Sequence, residues 1–308
     1  MGIIDTLTAG FNTVTKRLWL IVVPVMLDLF IWLGPKVSIA PVIEKMVATF
    51  RQSAEALGST SGVDPGLAGL SEALIEELQG TIGGINLLGL LSWGRLGVPS
   101  LAGIEPINVE VDRVISISEP GQMVLMQVLI MAVGLFIACI FLGTLGHGVV
   151  REGSTDWIAL SRKIPVYWLR LVAILIPLGV TLFVGVLGGF LLGPFGFFIW
   201  VLMLWAMLYL SFIPQAVVLT EDGPLAVVKR SFSVVRSNFW SSLGLVILIN
   251  VISAGLSLVW PLLVVSPVGM LVAILANAYV GTGLTASMFV FFRDRSARQR
   301  EALQQRSV

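Results

Sequence analysis

The residues most able to carry chemistry in this sequence of 308 residues are four polar side chains that stand within long apolar runs. Asp28 is the only carboxylate inside such a run, and Asn250, Asn277 and Gln127 stand in three others. Asp28 and Asn250 follow a tryptophan by nine and ten residues, which places each about 13–15 Å along a helix from that tryptophan. An ionisable group inside a membrane span is costly and is a functional candidate by default. These four residues form the candidate intramembrane polar site.

Two interpretations of Asp28 are open on the sequence alone. The first is a site linked to a proton or a cation. The second is a packing role, in which the side chain is hydrogen-bonded to an amide or lies near the outer surface. Because the spans contain a single carboxylate and no basic partner for it, the packing role is favoured.

Motifs for catalysis and for metal binding are absent from the sequence. There is no His-Glu-x-x-His, no Gly-x-Ser-x-Gly, no phosphate-binding loop and no pair of carboxylates. The single cysteine, Cys139, and the single histidine, His147, leave neither a disulfide framework nor a Cys/His cluster. We therefore expect a protein that is not an enzyme and that has no metal and no cofactor.

Composition places the chain among membrane proteins. Hydrophobic residues make up 56% of it and charged residues only 12%, with a mean hydropathy of +0.96. In a soluble domain about a quarter of the residues are charged. The net charge of +1, with no basic patch interleaved with aromatic residues, gives no indication of nucleic-acid binding.

Six apolar stretches approach the roughly 20 residues that a helix needs to cross a hydrocarbon core about 30 Å thick. The first is short and contains Asp28, and the last four form two pairs separated by only a few residues. Such short separations predict hairpins with almost no external loop. The six predicted spans are residues 18–33, 123–147, 169–192, 195–219, 241–263 and 268–292.

Basic residues are distributed unequally between the two sides that these spans define. If the N-terminus is cytoplasmic, fourteen of the 19 Lys and Arg residues fall on the cytoplasmic side, and the other five lie in one long external loop. Cytoplasmic segments of membrane proteins carry such an excess of Lys and Arg. Both termini are therefore predicted to be cytoplasmic.

A weak threefold repeat precedes the first, third and fifth predicted spans. Residues 11–19 and 232–240 both begin with Phe and end with Trp, and residues 160–168 are a looser copy that also ends with Trp. Each copy is predicted to form an amphipathic helix in the cytoplasmic interface. Their basic side chains would contact anionic lipid headgroups or a protein partner. These candidate contacts are Lys16, Arg17, Arg162, Lys163, Lys229, Arg230 and Arg236.

The run that leads into the fifth predicted span has a recognisable pattern. Residues 214–240 read PQAVVLTEDGPLAVVKRSFSVVRSNFW, with acidic-Gly-Pro, Arg-Ser-aromatic and Asn-Phe-Trp in succession. This run resembles a signature of poorly characterised bacterial membrane proteins that are similar to the membrane domain of some glycerophosphodiester phosphodiesterases. The resemblance implies a six-helix fold in the bacterial cytoplasmic (inner) membrane. It does not imply phosphodiesterase activity, because the sequence contains no soluble catalytic domain and no metal-binding set of Glu and His.

Residues 36–122, between the first two spans, are predicted to form a largely helical extracytoplasmic insertion. Apolar residues recur at helical spacing from position 42 to 50, a second helix is predicted at 67–78, and residues 107–117 alternate like a short strand. Residues 82–101 are apolar but rich in glycine, which favours a cap on the bundle over a further span. Three roles stay open for the insertion: to cover a cavity, to bind an external partner or simply to connect two spans.

Gly185, Gly189 and Gly193 form a ridge of small residues on the third predicted span. Such ridges let another helix approach closely. Packing within the chain is the favoured interpretation, and homodimerisation is the alternative.

The predicted fold is an all-α integral membrane protein whose six transmembrane helices form three hairpins, each preceded by an interfacial helix. Its parts are an interfacial helix with the first span (1–35), the insertion (36–122), a five-span bundle (123–292) with interfacial helices near 152–168 and 224–240, and a basic tail (293–308). The favoured function is that of a non-enzymatic protein that interacts with lipids or serves as a scaffold or accessory subunit. The alternative is a permease subunit similar to those of ABC exporters, which moves a lipid or another hydrophobic substrate.

Overall fold

The computed structural model describes residues 2–58, 86–93, 97–104, 114–150 and 156–306. Most of these residues are helical, and the two short strands pair with each other. In chain order the elements are α1 (Ile3–Thr15), a first 3₁₀ helix (Leu18–Ile21), α2 (Val22–Leu33), β1 (Lys36–Ser38), α3 (Ala40–Gly58), a second 3₁₀ helix (Leu87–Ser92), β2 (Val114–Ser116), α4 (Pro120–Val150), α5 (Trp157–Leu191), a 3₁₀ turn (Gly193–Phe195), α6 (Gly196–Leu210), α7 (Ile213–Leu219), α8 (Pro224–Ser237), α9 (Phe239–Leu263) and α10 (Pro267–Arg306).

Five apolar helical stretches in the described part of the chain are long enough to cross a membrane. They are α4, α5, α6 together with α7, α9, and the apolar part of α10. The first predicted span, Leu18–Leu33, is shorter and consists of the first 3₁₀ helix and α2. The prediction of a mainly helical chain with several helices of membrane-spanning length is confirmed.

The outward surfaces of α5, α6 and α9 are apolar and exposed. Phe183 on α5 is 70% exposed, and Leu258 on α9 is 76% exposed. Soluble monomers rarely expose contiguous apolar patches larger than a few hundred Å². Helices with such surfaces are suited to contact with lipid, where their own backbone hydrogen bonds are satisfied internally.

The most buried of these helices is α4, which runs through the middle of the bundle. Its first residue, Pro120, follows β2, and its last, Val150, lies at the opposite end of the bundle. We call these two ends the sheet end and the α8 end. At the middle of α4, a side chain at Gly134 would overlap the backbone of Leu91 in the second 3₁₀ helix. The absence of a side chain at this position therefore lets that helix lie directly on α4.

The first predicted interfacial helix is part of the bundle, because α1 packs lengthwise along α10. Gly10 marks the closest approach, where a Cβ atom would fall 2.6 Å from the backbone nitrogen of Ser287. Further along, Thr15 Oγ1 is 2.8 Å from Tyr279 Oη. The residue number rises along α1 as it falls along α10, so the two helices are antiparallel. Close backbone packing at a glycine thus places α1 against the apolar part of α10, a contact that amphipathic periodicity does not indicate.

The second predicted interfacial helix, near 152–168, is not separate from the following span. Residues 157–168 are the first turns of α5, which continues without a break to Leu191. Asp156 caps this helix, since its carboxylate accepts hydrogen bonds from the backbone nitrogens of Ile158 and Ala159, both at 3.1 Å. Pro165 removes one backbone donor, but the helix continues through it.

The third predicted interfacial helix, near 224–240, corresponds to α8, which is a separate helix. Pro224 occupies the first helical position, where its missing N–H costs nothing. α8 buries Val227, Ser231 and Val234 against the bundle and leaves Leu225 exposed.

The three tryptophans of the sequence repeat lie in three different environments. Trp19 packs edge-to-face on Trp157, with ring centroids 5.1 Å apart. Trp168 points inward and donates a hydrogen bond of 3.0 Å from Nε1 to the carbonyl oxygen of Ala132 in α4. Trp240 is exposed at the start of α9. The repeat in the sequence therefore does not correspond to three equivalent structural units.

The fourth predicted span, residues 195–219, is divided into α6 and α7. Proline clashes with the carbonyl group four residues before it and has no N–H to donate. For Pro214 that residue is Leu210, which is the last residue of α6. Pro214 thus ends one helix and begins the next, in whose first turn it lies.

The three glycines of the predicted ridge have two structural roles, helix packing and turn formation. Gly185 and Gly189 lie against α6, where Cβ atoms would meet the side chains of Met203 and Trp200. Gly193 has φ +54°, a left-handed conformation that glycine adopts at low cost, and it forms the turn between α5 and α6. No atom lies within 4 Å of a Cβ built on Gly193.

The sheet end contains what the structure describes of the predicted insertion. β1 and β2 are parallel, with Val37 opposite Ile115, and β2 lies within the strand predicted at 107–117. Residues 97–104, which we call the 97–104 segment, reach the membrane-spanning helices, with Pro99 packed against Gly281 of α10. The helix predicted at 67–78 and the first part of the predicted strand lie outside the described residues.

Candidate functional site

A cavity of about 1140 Å³ lies between α6, α9 and α10. Its wall follows α9 from Phe239 to Pro261, which at 1.5 Å per residue corresponds to about 33 Å. A bilayer's hydrocarbon core is about 30 Å thick. The cavity therefore extends over the whole apolar length of α9.

The two ends of the cavity are closed by different groups. At the α8 end, the rings of Trp205 on α6 and Phe239 on α9 stack with their centroids 5.5 Å apart. At the sheet end, the 97–104 segment forms the floor, and its Leu101 packs in one apolar cluster with Trp260.

One side of the cavity is open where α6 and α9 diverge. Only the residues of α6 from Leu204 onward line it, because Trp200 and Met203 are packed against α5. Towards the sheet end, α9 borders the cavity without α6 opposite. The opening therefore lies between helices whose outer surfaces are apolar and exposed.

The sequence of α9 explains why this space is not filled. The helix is held near its two ends by the buried side chains of Leu245 and Trp260. Between them, the side chains that line the cavity include the short ones of Asn250, Ser253 and Ser257, at helical spacing. These short side chains leave a gap that leucines at the same positions would occupy.

The polar lining of the cavity is uncharged. Asn250 and Asn277, both identified from the sequence, lie in its wall. The amide nitrogen of Asn250 donates a hydrogen bond of 2.7 Å to the carbonyl oxygen of Val246 in its own helix. The amide nitrogen of Asn277 is buried and has no hydrogen-bond partner among the described residues. Of the side chains that the structure describes, no Asp, Glu, Lys, Arg or His lines the cavity.

Asp28 lies beside the floor and is not brought into contact with either asparagine. Its side chain is buried and accepts a hydrogen bond from the hydroxyl of Ser100. Both carboxylate oxygens also accept from the backbone nitrogen of Leu101, at 3.1 and 3.2 Å. Asp28 thus attaches the 97–104 segment to α2, through bonds to a loop and not to an amide side chain of another helix.

Gln127 is separate from the other three residues of the predicted polar site. It lies in the first turns of α4, is half-buried, and does not line the cavity. The structure therefore brings together two of the four predicted residues, places Asp28 behind the cavity floor, and leaves Gln127 apart.

The predicted headgroup contacts divide into residues that are bonded within the protein and residues that are not. Arg17 donates to the carbonyl oxygen of Gly148, Lys163 pairs with Glu221 at 3.1 Å, and Arg230 pairs with Asp222 at 3.1 Å. The remaining four are exposed and have no bonded partner within the described part of the chain: Lys16, Arg162, Lys229 and Arg236.

Arginines at the α8 end cap helix C-termini, a role that no local pattern in the sequence indicates. Arg17 and Arg293 donate to the carbonyl oxygens of Gly148 and Val149, the last turn of α4. Cations at this position are stabilised by the unpaired carbonyls and by the helix dipole. Arg170 does the same beyond α7, donating to the carbonyl oxygens of Thr220 and Glu221 at 3.1 and 3.0 Å.

The chemistry available in the cavity is hydrogen bonding by neutral groups within an apolar wall. No group of three His, Cys, Asp or Glu side chains suitable for a metal ion occurs in the described residues. Cys139 is buried in α4 and does not reach the cavity. No family model, no curated protein and no solved structure matches this chain.

Proposed function

We propose that this chain is a non-enzymatic multi-pass membrane protein that binds a lipid in the cavity between α6, α9 and α10. The observation that carries the proposal is the cavity itself, which is apolar, about as long as a bilayer's hydrocarbon core, and open between lipid-compatible helices. A long hydrocarbon chain can enter such a space from the side without crossing water. The protein would then serve as an accessory or scaffold whose packing depends on a bound lipid.

The proposal includes six membrane crossings in three hairpins, with α2 and the first 3₁₀ helix as the first crossing. The 3₁₀ helix has four residues and α2 has twelve. Because a 3₁₀ helix rises about 2.0 Å per residue and an α-helix 1.5 Å, together they extend about 26 Å. That length approaches the thickness of a bilayer's hydrocarbon core. The larger rise per residue of the 3₁₀ helix therefore compensates in part for the small number of residues in this span.

We further propose that the α8 end is cytoplasmic and faces anionic lipid headgroups, in a bacterial cytoplasmic membrane as the resemblance implies. Support comes from three exposed cations at this end, Arg162 in the first turns of α5 and Lys229 and Arg236 on α8, which are free to reach headgroups. The resemblance to the membrane domain of glycerophosphodiester phosphodiesterases remains a prediction.

The headgroup proposal predicts different effects for neighbouring cations on α8. Each Lys or Arg near an anionic surface contributes about 1 kcal/mol. Replacing Arg236, which is exposed, with glutamine is expected to lower the ratio of phosphatidylglycerol to phosphatidylethanolamine that the purified protein retains. Arg230→Gln is the matched control, because that side chain is already paired with Asp222 and should change the ratio less. Equal effects of the two variants would contradict the proposal.

The cavity proposal is tested by filling the cavity. Ser253→Trp places a large side chain in the cavity wall, whereas Leu258→Trp, five residues further along α9, places it on the exposed face of the same helix that does not line the cavity. Native mass spectrometry of the full chain, extracted in mild detergent, measures the fraction that carries a lipid. We expect Ser253→Trp to weaken lipid binding by about tenfold or more, equivalent to 1.4 kcal/mol, and Leu258→Trp to behave as the wild type. Equal lipid occupancy in all three proteins would overturn the proposal.

A permease subunit for a hydrophobic substrate is the second candidate. The observation that favours it is that the cavity extends along the length of the bundle, from the Trp205–Phe239 stack to the 97–104 segment, with each end closed by a group that a transport cycle could open. Co-purification of an ATPase subunit with the full chain would favour the permease. Lipid retention by the isolated chain without such a partner would favour the accessory protein.

A further inference from the structure

We propose that the lipid bound in the cavity is an uncharged amphiphile, with a long apolar chain and a small neutral head that hydrogen-bonds to Asn277. Diacylglycerols and long-chain alcohols are lipids of this class. The inference rests on the proposed function, since it specifies which lipid the cavity binds. Four features of the cavity support it.

The first feature is the absence of charge from the wall. An ionised head carried into an apolar cavity must be paired and hydrogen-bonded, or its transfer from water is very unfavourable. Among the described side chains that line this cavity, there is no Asp, Glu, Lys, Arg or His. The carboxylate of Asp28, behind the cavity floor, already accepts hydrogen bonds from Ser100 and Leu101. A phosphate head therefore has no counter-charge inside the cavity.

The second feature is the amide of Asn277. Its nitrogen is buried and lacks a hydrogen-bond partner among the described residues. A buried donor without a partner is costly, and such a group in a native protein is expected to be satisfied by a bound ligand or an ordered water. A primary amide both donates and accepts, so its natural complement is a hydroxyl group or an ester carbonyl.

The third feature is depth. Asn277 is ten residues from the start of α10 at Pro267, which places it about 15 Å along the helix, near the middle of a bilayer. A charged lipid keeps its head at the membrane surface and would present only its chains at this depth. A neutral amphiphile can bring its head to the middle of the hydrocarbon core at much lower cost.

The fourth feature is the contrast between the two asparagines. The amide nitrogen of Asn250 is bonded to the carbonyl oxygen of Val246, whereas that of Asn277 is not bonded to any described group. Ser257 similarly donates to its own helix, to the carbonyl oxygen of Ala254 at 2.7 Å. Of the two asparagines in the described wall, Asn277 is therefore the one whose amide nitrogen is left for a ligand.

The test is a displacement measurement on the full chain in detergent micelles. The probe is a diacylglycerol with one pyrene-labelled chain, and its binding is followed by energy transfer from the nine tryptophans of the protein, of which Trp205 and Trp260 line the cavity. The competitors are dioleoylglycerol and dioleoylphosphatidic acid, which share their chains and differ in the phosphate. We expect dioleoylglycerol to displace the probe at a concentration at least about tenfold lower than dioleoylphosphatidic acid.

Two matched variants locate the selectivity. Asn277→Leu is expected to remove most of the preference for dioleoylglycerol while the probe still binds through its chain. Asn250→Leu makes the same substitution in the same wall and should keep the preference. Loss of the preference in both variants, or no loss in Asn277→Leu, would overturn the role of Asn277. Equal or tighter binding of dioleoylphosphatidic acid by the wild type would overturn the neutral-head inference.

The outcome for this inference is separate from that for the proposed function. If Ser253→Trp abolishes probe binding but the wild type does not prefer the neutral lipid, the cavity binds lipid and only the inference fails. Because Ser253→Trp adds a tryptophan donor, the wild type and this variant are compared by the amount of pyrene probe that co-purifies with each. If equal amounts co-purify, the cavity is not the binding site and both fail.

Discussion

Replacing Gly10 with valine is expected to lower the free energy of unfolding by about 3 kcal/mol, the upper end of the usual range for an overpacked contact. The reason is that a Cβ atom at Gly10 would meet the backbone of Ser287, at 2.6 Å from its nitrogen and 2.7 Å from its Cα. Backbone atoms cannot rotate away as a flexible side chain can. α1 would have to separate from α10, and the packing of Phe11 over Gly283 would be lost with it.

The measurement for Gly10→Val is unfolding of the purified full chain by a denaturing detergent, followed by circular dichroism. Gly255→Val is the control, because no atom lies within 4 Å of a Cβ at Gly255 in the middle of α9. That variant should equal or slightly exceed the wild type, since valine has a higher helix propensity than glycine. If the two variants unfold alike, the close contact between α1 and α10 does not exist.

Replacing Asp28 with alanine is expected to lower the free energy of unfolding by about 3 kcal/mol. The change leaves two donors without their acceptor, the Ser100 hydroxyl and the Leu101 backbone N–H, and a buried donor that loses its partner costs about 1–3 kcal/mol. The effect should be local as well as global. Hydrogen exchange at the Leu101 amide is expected to accelerate, because the 97–104 segment would no longer be attached to α2.

Ser100→Ala is the matched partner of Asp28→Ala. It removes one donor and keeps the bond from the Leu101 nitrogen, so its effect on unfolding should be smaller than that of Asp28→Ala. The double variant should fall short of the sum of the two by about 1 kcal/mol or more, as residues in one network do. Wild-type unfolding and wild-type exchange in Asp28→Ala would contradict the structural role and favour a proton- or cation-linked site.

The helices were predictable from the sequence to the extent that local patterns determine them. The length of an apolar stretch is enough to predict α4, α5, α9 and α10. A segment that crosses a membrane must satisfy its own backbone hydrogen bonds, and a helix does so. The division of the fourth span at Pro214 follows from proline geometry and could have been predicted from the sequence. The position of α1 could not, since it depends on the contact of Gly10 with a residue 277 positions away in the chain, Ser287.

The candidate site was partly predictable for the same reason. Asn250 and Asn277 stand out as amides in apolar runs, but only the fold places them in one cavity. Ser253 and Ser257 carry a signal that was available, since short polar residues at helical spacing on one face of α9 leave space beside it. The partners of Asp28 are a hydroxyl and a backbone amide in a distant loop, and no local pattern indicates such a contact.

The cavity also bears on which of the three roles left open for the insertion is supported. The 97–104 segment forms its floor, so covering a cavity is the role that the described part of the insertion supports. Asp28 and the Pro99 contact with Gly281 hold that floor in place. Loosening the floor through Asp28→Ala is therefore connected to lipid binding as well as to stability.

The most direct measurement of the central claim is an experimental density map of the full chain in a lipid nanodisc. The proposal predicts an elongated density between α6, α9 and α10 that extends from the Trp205–Phe239 stack towards the 97–104 segment and passes within hydrogen-bonding distance of Asn277. A map in which α6 and α9 close on each other and leave no space, or in which the cavity is present and contains no lipid, would contradict it.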